Sequence, residues 1–180
     1  ADVLTTFESE VYYDILPVAW LPDSSLFAAQ FEREGEAQLA LYDRNGQQQD
    51  ALYVLPTGRI VSPVGLTWSA DGRYLAFNVI DDGYDNYNST YTNYAWEANS
   101  TLMLADKQTQ TIIDTCLSIG TGLAWSPETN QLAFLASGGG QRPIQILGID
   151  EMTVYTVGSH YFDYTTTHTE LRGMLGWRVP

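Results

Sequence analysis

The residues of this 180-residue chain best suited to chemistry crowd into an insertion over residues 81–98, which reads Asp81-Asp-Gly-Tyr-Asp-Asn-Tyr-Asn-Ser-Thr-Tyr-Thr-Asn-Tyr-Ala-Trp-Glu97. Asp81, Asp82, Asp85, Asn86 and Asn88 offer the hard oxygen donors that Ca²⁺ takes. The alternating Asp/Asn spacing and the closing Glu of an EF-hand loop are absent, so no metal site is expected. Tyr84, Tyr87, Tyr91, Tyr94 and Trp96 suit a second chemistry, because Tyr and Trp present large amphipathic area at low rotamer cost and make an adaptable surface for a protein partner. The same rings can instead fold back over the apolar edge of the element that carries them, and the sequence leaves both readings open. Asn88-Ser89-Thr90 and Asn99-Ser100-Thr101 each match the N-glycosylation acceptor pattern.

Elsewhere the catalytic signals are thin. His160 and His168 are the only histidines, set among Tyr161, Asp163, Tyr164 and a run of threonines, with no Cys or Glu at a zinc-binding spacing. Cys116 is the single cysteine, which excludes an internal disulfide; its apolar run from Ile112 to Ile119 predicts a buried, inert thiol. No G-x-S-x-G elbow, H-E-x-x-H helix or phosphate-binding glycine loop occurs. Asp81 and Asp82 are not readable as an acid–base pair without a separation. The expectation is a chain with no catalytic residues and no cofactor.

Charge narrows the partners. The formal net charge is −14, Lys107 is the only lysine, and no basic stripe exists to neutralise a phosphate backbone, which excludes nucleic acid. The acidic excess repels an anionic membrane, and no apolar run approaches the roughly 20 residues of a spanning helix, so no membrane insertion is expected. With 44% hydrophobic residues the chain can bury enough apolar surface to offset its ordering entropy, which rules out a disordered chain.

The elements that must position these residues are set by an internal repeat. Trp20, Trp68, Trp125 and Trp177 recur at intervals of roughly 50 residues, within the range of repeat architectures. An acidic residue stands three positions after each of the first three: Asp23, Asp71 and Glu128. These acids read as turn caps that bond nearby amides. Val18, Leu66, Leu123 and Leu175 stand two before each tryptophan, so the pair shares one face of a strand. Second strands follow at Phe27-Ala28-Ala29, Leu75-Ala76-Phe77 and Leu132-Ala133-Phe134, each with a small residue in the middle. Third strands end in aspartate at Asp43, Asp106 and Asp150, and fourth strands run over Ala51 to Leu55, Thr111 to Leu117 and Met152 to Val157. Four short strands per unit without a helix is the pattern of propeller blades.

Trp68-Ser-Ala-Asp-Gly-Arg-Tyr-Leu-Ala-Phe77 and Trp125-Ser-Pro-Glu-Thr-Asn-Gln-Leu-Ala-Phe134 resemble the W-S-P-D-G-x-x-[IL]-A-F repeat of TolB-like, WD-type β-propellers. The first unit departs from it, with Leu21 and Ser24 where that repeat carries Ser and Gly. The resemblance implies an all-β fold of four-stranded antiparallel blades and a non-catalytic scaffold for protein–protein interaction or assembly. It also implies an extracytoplasmic setting, periplasmic or secreted. Two other readings remain beside it: a propeller segment of a prolyl-oligopeptidase-like serine peptidase, and a carbohydrate- or Ca²⁺-binding module.

By this reading residues 1–14 supply the last strand of a preceding blade. Blades follow over 15–56, 63–118 and 121–158, and residues 171–180 begin a further one. Joining the two ends would leave a blade without its middle strands and with unpaired edges. The expectation is therefore an incomplete ring, completed by another segment, a protein partner or other copies of the chain.

Overall fold

The computed structural model describes residues 17–33, 36–81, 100–136 and 141–161. These residues form twelve strands. The first sheet holds β1 (Val18–Trp20), β2 (Leu26–Arg33), β3 (Glu36–Asp43) and β4 (Gln48–Val54). The second holds β5 (Arg59–Trp68), β6 (Tyr74–Asp81), β7 (Thr101–Asp106) and β8 (Thr111–Asp114). The third holds β9 (Ile119–Trp125), β10 (Gln131–Ala136), β11 (Gln141–Gly148) and β12 (Thr153–Tyr161). Within each sheet every strand pairs antiparallel with its sequence neighbour, so one edge is the first strand of the unit and the other edge is the fourth. The first strands touch from sheet to sheet, β1 against β5 and β5 against β9. All-β architecture with four-stranded antiparallel blades is thus what the chain adopts.

A strand buried on one face alternates apolar and polar, whereas β6 is buried at seven consecutive positions from Tyr74 to Ile80. Its two faces are covered by two different sheets. Leu75, Phe77 and Val79 pack with Leu21, Ala28, Leu39 and Leu41 of the first sheet. Tyr74 and Ala76 pack with Trp125, Leu132, Phe134 and Leu147 of the third. Phe77 and Phe134 occupy the same place in successive units and are fully buried. Each such ring contributes about 1.5–3 kcal/mol relative to exposure.

The repeated tryptophans are the joints. Trp68 Nε1 donates to the Ala19 carbonyl at 3.1 Å, and Trp125 Nε1 donates to the Thr67 carbonyl at 3.1 Å. Ala19 and Thr67 each immediately precede the tryptophan of the previous unit, so one bond recurs in register. Ala19 pairs with Ala28 and Thr67 with Ala76, which explains the small residue in the middle of the second strand in the first two units. A larger side chain there would lift the next sheet's indole off the carbonyl.

A second seam of polar bonds joins the sheets. The Val61 amide donates to the Gln30 side-chain oxygen at 2.6 Å, across from the first sheet to the second. Val61 pairs with Val79 and Ile119 pairs with Ala136, so Val61 and Ile119 hold equivalent places. Asn78 stands where Gln30 stands but is one methylene shorter, and its Oδ1 is buried with no hydrogen-bond partner. The Ile119 amide is instead taken by Ser100 Oγ at 3.1 Å, which also donates to the Ile119 carbonyl. A serine at the start of β7 thus does for the third sheet what a glutamine does for the second.

Turn chemistry follows the acids in two units of three. Asp23 accepts from the Ser25 amide and hydroxyl, and Asp71 accepts from the Arg73 amide and the Ser69 hydroxyl. In the third unit Ser126 Oγ, not Glu128, receives the turn amides, those of Glu128 and Thr129. Ser24 and Gly72 occupy the same turn position, both left-handed, with φ of 57° and 70°. Leu21, the other departure in the first unit, is buried, and a Cβ added to Gly72 would come within 3.2 Å of its Cδ2. The apolar residue in one turn thus packs beneath the glycine of the next.

Cys116 corrects the expectation of a buried thiol, for it is exposed. β8 ends at Asp114, and the chain then bulges: Leu102 accepts from the Thr115 amide at 3.2 Å while its own amide donates to the Leu117 carbonyl at 2.8 Å. Cys116 lies between those partners at φ 56°, its amide on Asp114 Oδ1, and the bulge throws its side chain outward. An apolar run identifies a strand but not the one residue a bulge ejects.

Two outcomes follow. Trp68→Phe leaves the Ala19 carbonyl without its donor and opens a void, at a cost of about 2–3 kcal/mol in urea unfolding, whereas Trp20→Phe costs less than about 1 kcal/mol. Ser24→Gly relieves left-handed strain and gains about 0.5 kcal/mol, while Gly72→Ala loses about 1–2 kcal/mol. Equal effects at the two tryptophans, or the same sign at the two turns, would contradict this account.

Candidate interaction surface

In β1 the tryptophan of the first unit takes the same register as its two counterparts, yet the outcome differs. Trp68 and Trp125 are buried at 7% and 9% exposure, and Trp20 is 46% exposed. Its indole N–H has no acceptor among the described residues, in contrast to the bonds that Trp68 and Trp125 make. The pairing of Val18 with Ala29 and Trp20 with Phe27 places these side chains on one face of the first sheet, the face turned away from the second. Trp20 tilts over Phe27 with centroids 5.0 Å apart, Phe27 stacks on Tyr42 at 5.6 Å, and Tyr42 meets the edge of Phe31 at 4.8 Å. Val18 and Val54 are half exposed at its margins. The result is an aromatic row in which Phe27 and Tyr42 are buried and the Trp20 indole stands half exposed at the end.

Electrostatics concentrate at the turn of the second unit. Arg73 makes a forked contact with Asp106, with Nη2 to Oδ2 at 2.8 Å and Nε to both oxygens. Asp106 also accepts from the amides of Gln108 and Thr109. The Arg73 bonds first, and these amides after it, hold the Asp106 carboxyl down at about 2 against the cost of burial. The same contact pushes Arg73 up. The guanidinium lies 4.6 Å from the Tyr74 ring centroid, and Tyr74 stacks at 18° on Trp125. Burial raises the Tyr74 hydroxyl. Asp71 is lowered chiefly by the Ser69 hydroxyl, and Asp23 by the Ser25 hydroxyl. A chain of contacts thus ties the carboxylate of one sheet to the joint tryptophan of the next. Beside it, between β4 and the β7–β8 turn, lies an open polar cleft of about 260 Å³ lined by Asp50, Asp106, Lys107 and Thr111.

The residues singled out from sequence fare unevenly. Tyr84, Tyr87, Tyr91, Tyr94 and Trp96 lie outside the described residues, as do Asn88, Asn99, Asp82, Asp85, Asn86, His168 and Trp177. His160 lies in β12. Asp81 closes β6 and forms an ion pair with Arg59 at 2.5 Å. Among the described residues no group of three His, Cys, Asp or Glu side chains comes together as a metal site. No helix of the described residues is long and apolar enough to cross a membrane. The exposure of Val18, Trp20 and the residues around Tyr155 was not visible beforehand, because a strand pattern says which side chains share a face and not whether that face is covered.

The Asp106 carboxyl gives a pH expectation. Its folded value near 2 lies below its ordinary value, so its stabilisation is complete above about pH 4 and is lost as pH falls toward 2. Asp106→Asn lowers stability at pH 7 by about 1–2 kcal/mol, with water screening the half-exposed guanidinium. The gap between variant and parent closes on acidification, which thermal unfolding across that range reads directly.

No protein-family model matches the chain, and no curated protein matches it in sequence. Solved structures do. TolB from Acinetobacter baumannii superposes with a TM-score of 0.53 at 17% identity, over 78% of this chain and 31% of that one. An oligogalacturonate lyase in complex with manganese gives 0.56 at 15% identity, over 87% and 43%. Prolyl oligopeptidase B from Galerina marginata gives 0.52 at 13% identity, over 78% and 20%. The chain spans less than half the length of each. At such identities the likeness is one of fold: the three sheets are blades of a TolB-like β-propeller.

Proposed function

We propose that this chain is a non-catalytic propeller scaffold that works by protein–protein interaction and assembly in an extracytoplasmic setting. The observation that carries the reading is Trp20. The chain uses its tryptophan twice to seat one blade on another, and the third, at the margin of the plate formed with the buried Phe27 and Tyr42, stands half exposed with its donor unused among the described residues. A four-stranded blade that offers a backbone carbonyl at the place of Ala19 or Thr67 fits that plate, whether it belongs to a protein partner or to another copy or segment. The net charge of −14 keeps the remaining surface soluble and biases contacts toward this uncharged face.

An enzyme reading stands second, favoured by the superposition on prolyl oligopeptidase B. On that reading the blades shape access to a hydrolase site, and Trp20 seats a blade of the same ring.

Trp20→Asp separates the two. Sedimentation of the chain shows concentration-dependent association in the parent, and the variant shifts it to the monomer by about tenfold or more in concentration, since a charge replaces a desolvated ring. Amide hydrogen exchange in the parent slows at residues 18–20 and 54 as concentration rises. A parent that stays monomeric at every concentration would overturn the assembly reading, and a longer protein carrying this segment that takes a serine-directed fluorophosphonate label would favour the peptidase one.

A further inference from the structure

β12, Thr153–Tyr161, is the outer strand of the third sheet and pairs only with β11 among the described residues. An outer strand leaves the outward backbone groups of alternate residues open to another strand, and proteins guard such edges with brevity, charge or irregularity. The first two sheets do so. β4 carries Asp50 and its ladder with β3 shifts register twice, and β8 is only four residues long and ends in Asp114. β12 has nine residues and no Asp, Glu, Lys or Arg, with a single register shift beside Val157. Of the seven exposed large apolar side chains among the described residues, four fall within six positions here: Met152 at 45%, Val154 at 39%, Tyr155 at 53% and Val157 at 59%. Thr, Val and Tyr are the residue types that favour a pleated strand.

The turn leading into β12 is acidic, with Asp150 and Glu151 both exposed. From this we infer that β12 is a docking edge that takes an extended segment of a partner protein as a fifth strand. The segment carries uncharged β-branched side chains against Val154 and Val157 and a Lys or Arg beside Asp150 and Glu151. Main-chain bonds supply affinity in such strand addition, alternate side chains supply register, and the acidic turn selects the sign of the flanking charge. A second copy is the poorer occupant, because its own β12 carries no Lys or Arg to meet the acidic turn. The inference rests on the scaffold reading and extends it to a surface separate from the Trp20 plate.

The test uses the whole chain and a fluorescein-labelled, amide-capped peptide with lysine at both ends, Lys-Thr-Val-Thr-Val-Thr-Val-Lys, so that either strand direction brings a cation to the acidic turn. Anisotropy shows saturable binding that weakens as salt rises, and amide hydrogen exchange slows at residues 153–157 and not in β4 or β8. Val154→Glu with Val157→Glu weakens binding by about tenfold or more, by like charge and lost apolar contact. Both positions are exposed, and the exchange measurement on the parent stands even where that variant fails to fold. Asp150→Asn with Glu151→Gln, or a peptide with Glu for Lys, weakens binding and flattens its salt dependence. Trp20→Asp leaves peptide binding unchanged, so failure here is distinct from failure of the assembly reading. Absence of binding, protection elsewhere, or a dimer whose β12 amides are already protected in the free chain overturns the inference.

Discussion

The structure depends on one hydrogen bond used as a joint: the indole N–H of each unit's tryptophan on the backbone carbonyl just before the tryptophan of the unit ahead. A four-stranded sheet with apolar side chains on both faces has no stable life alone, since both faces must leave water. Apolar contact alone is non-directional and would allow neighbouring sheets to slide. The indole adds direction. Its ring fills the space over an Ala–Ala or Thr–Ala pair, and its N–H fixes the one offset at which a buried carbonyl is satisfied. Leaving that carbonyl unpaired is costly enough that the offset is specified and not merely favoured.

Other contacts fall into place around that joint. Tyr74 stacks on Trp125, Arg73 lies over Tyr74, and Asp106 holds Arg73, so the turn of one unit braces the tryptophan of the next. The polar seam at Val61 and Ile119 is a second, weaker specification of the same offset, reached with Gln30 in one case and Ser100 in the other. That Asn78 Oδ1 is buried without a partner shows what is lost when a long amide is shortened and its task is moved to another strand.

Much of this was legible in the sequence because period two and the tryptophan register are both consequences of packing. Val18 with Trp20, Leu66 with Trp68 and Leu123 with Trp125 share faces because alternation demands it, and Ala28 and Ala76 are small because the next sheet's indole lies close. Asp23 and Asp71 cap their turns through short-range bonds that sequence proximity alone suffices to suggest. What escaped was non-local or singular. The exposure of Cys116 follows from a bulge opposite Leu102, and the turn at Glu128 is held by Ser126. The exposure of Trp20 depends on what covers a face, to which residue order is blind. The Tyr-rich insertion falls outside the described residues.

The contrast between joint and turn says which features the fold can vary. Three units solve the hairpin turn in three ways: Asp23 with left-handed Ser24, Asp71 with Gly72, and Ser126 with neither. Turns face water, where an unmet amide finds a solvent partner, so several local solutions are nearly equivalent. The joint faces no water, and both buried instances use the same residue, the same atom and the same distance. Trp20, in the same register, has the size, position and donor of the two buried joints, and it differs from them in one respect: its ring is half exposed where theirs are covered.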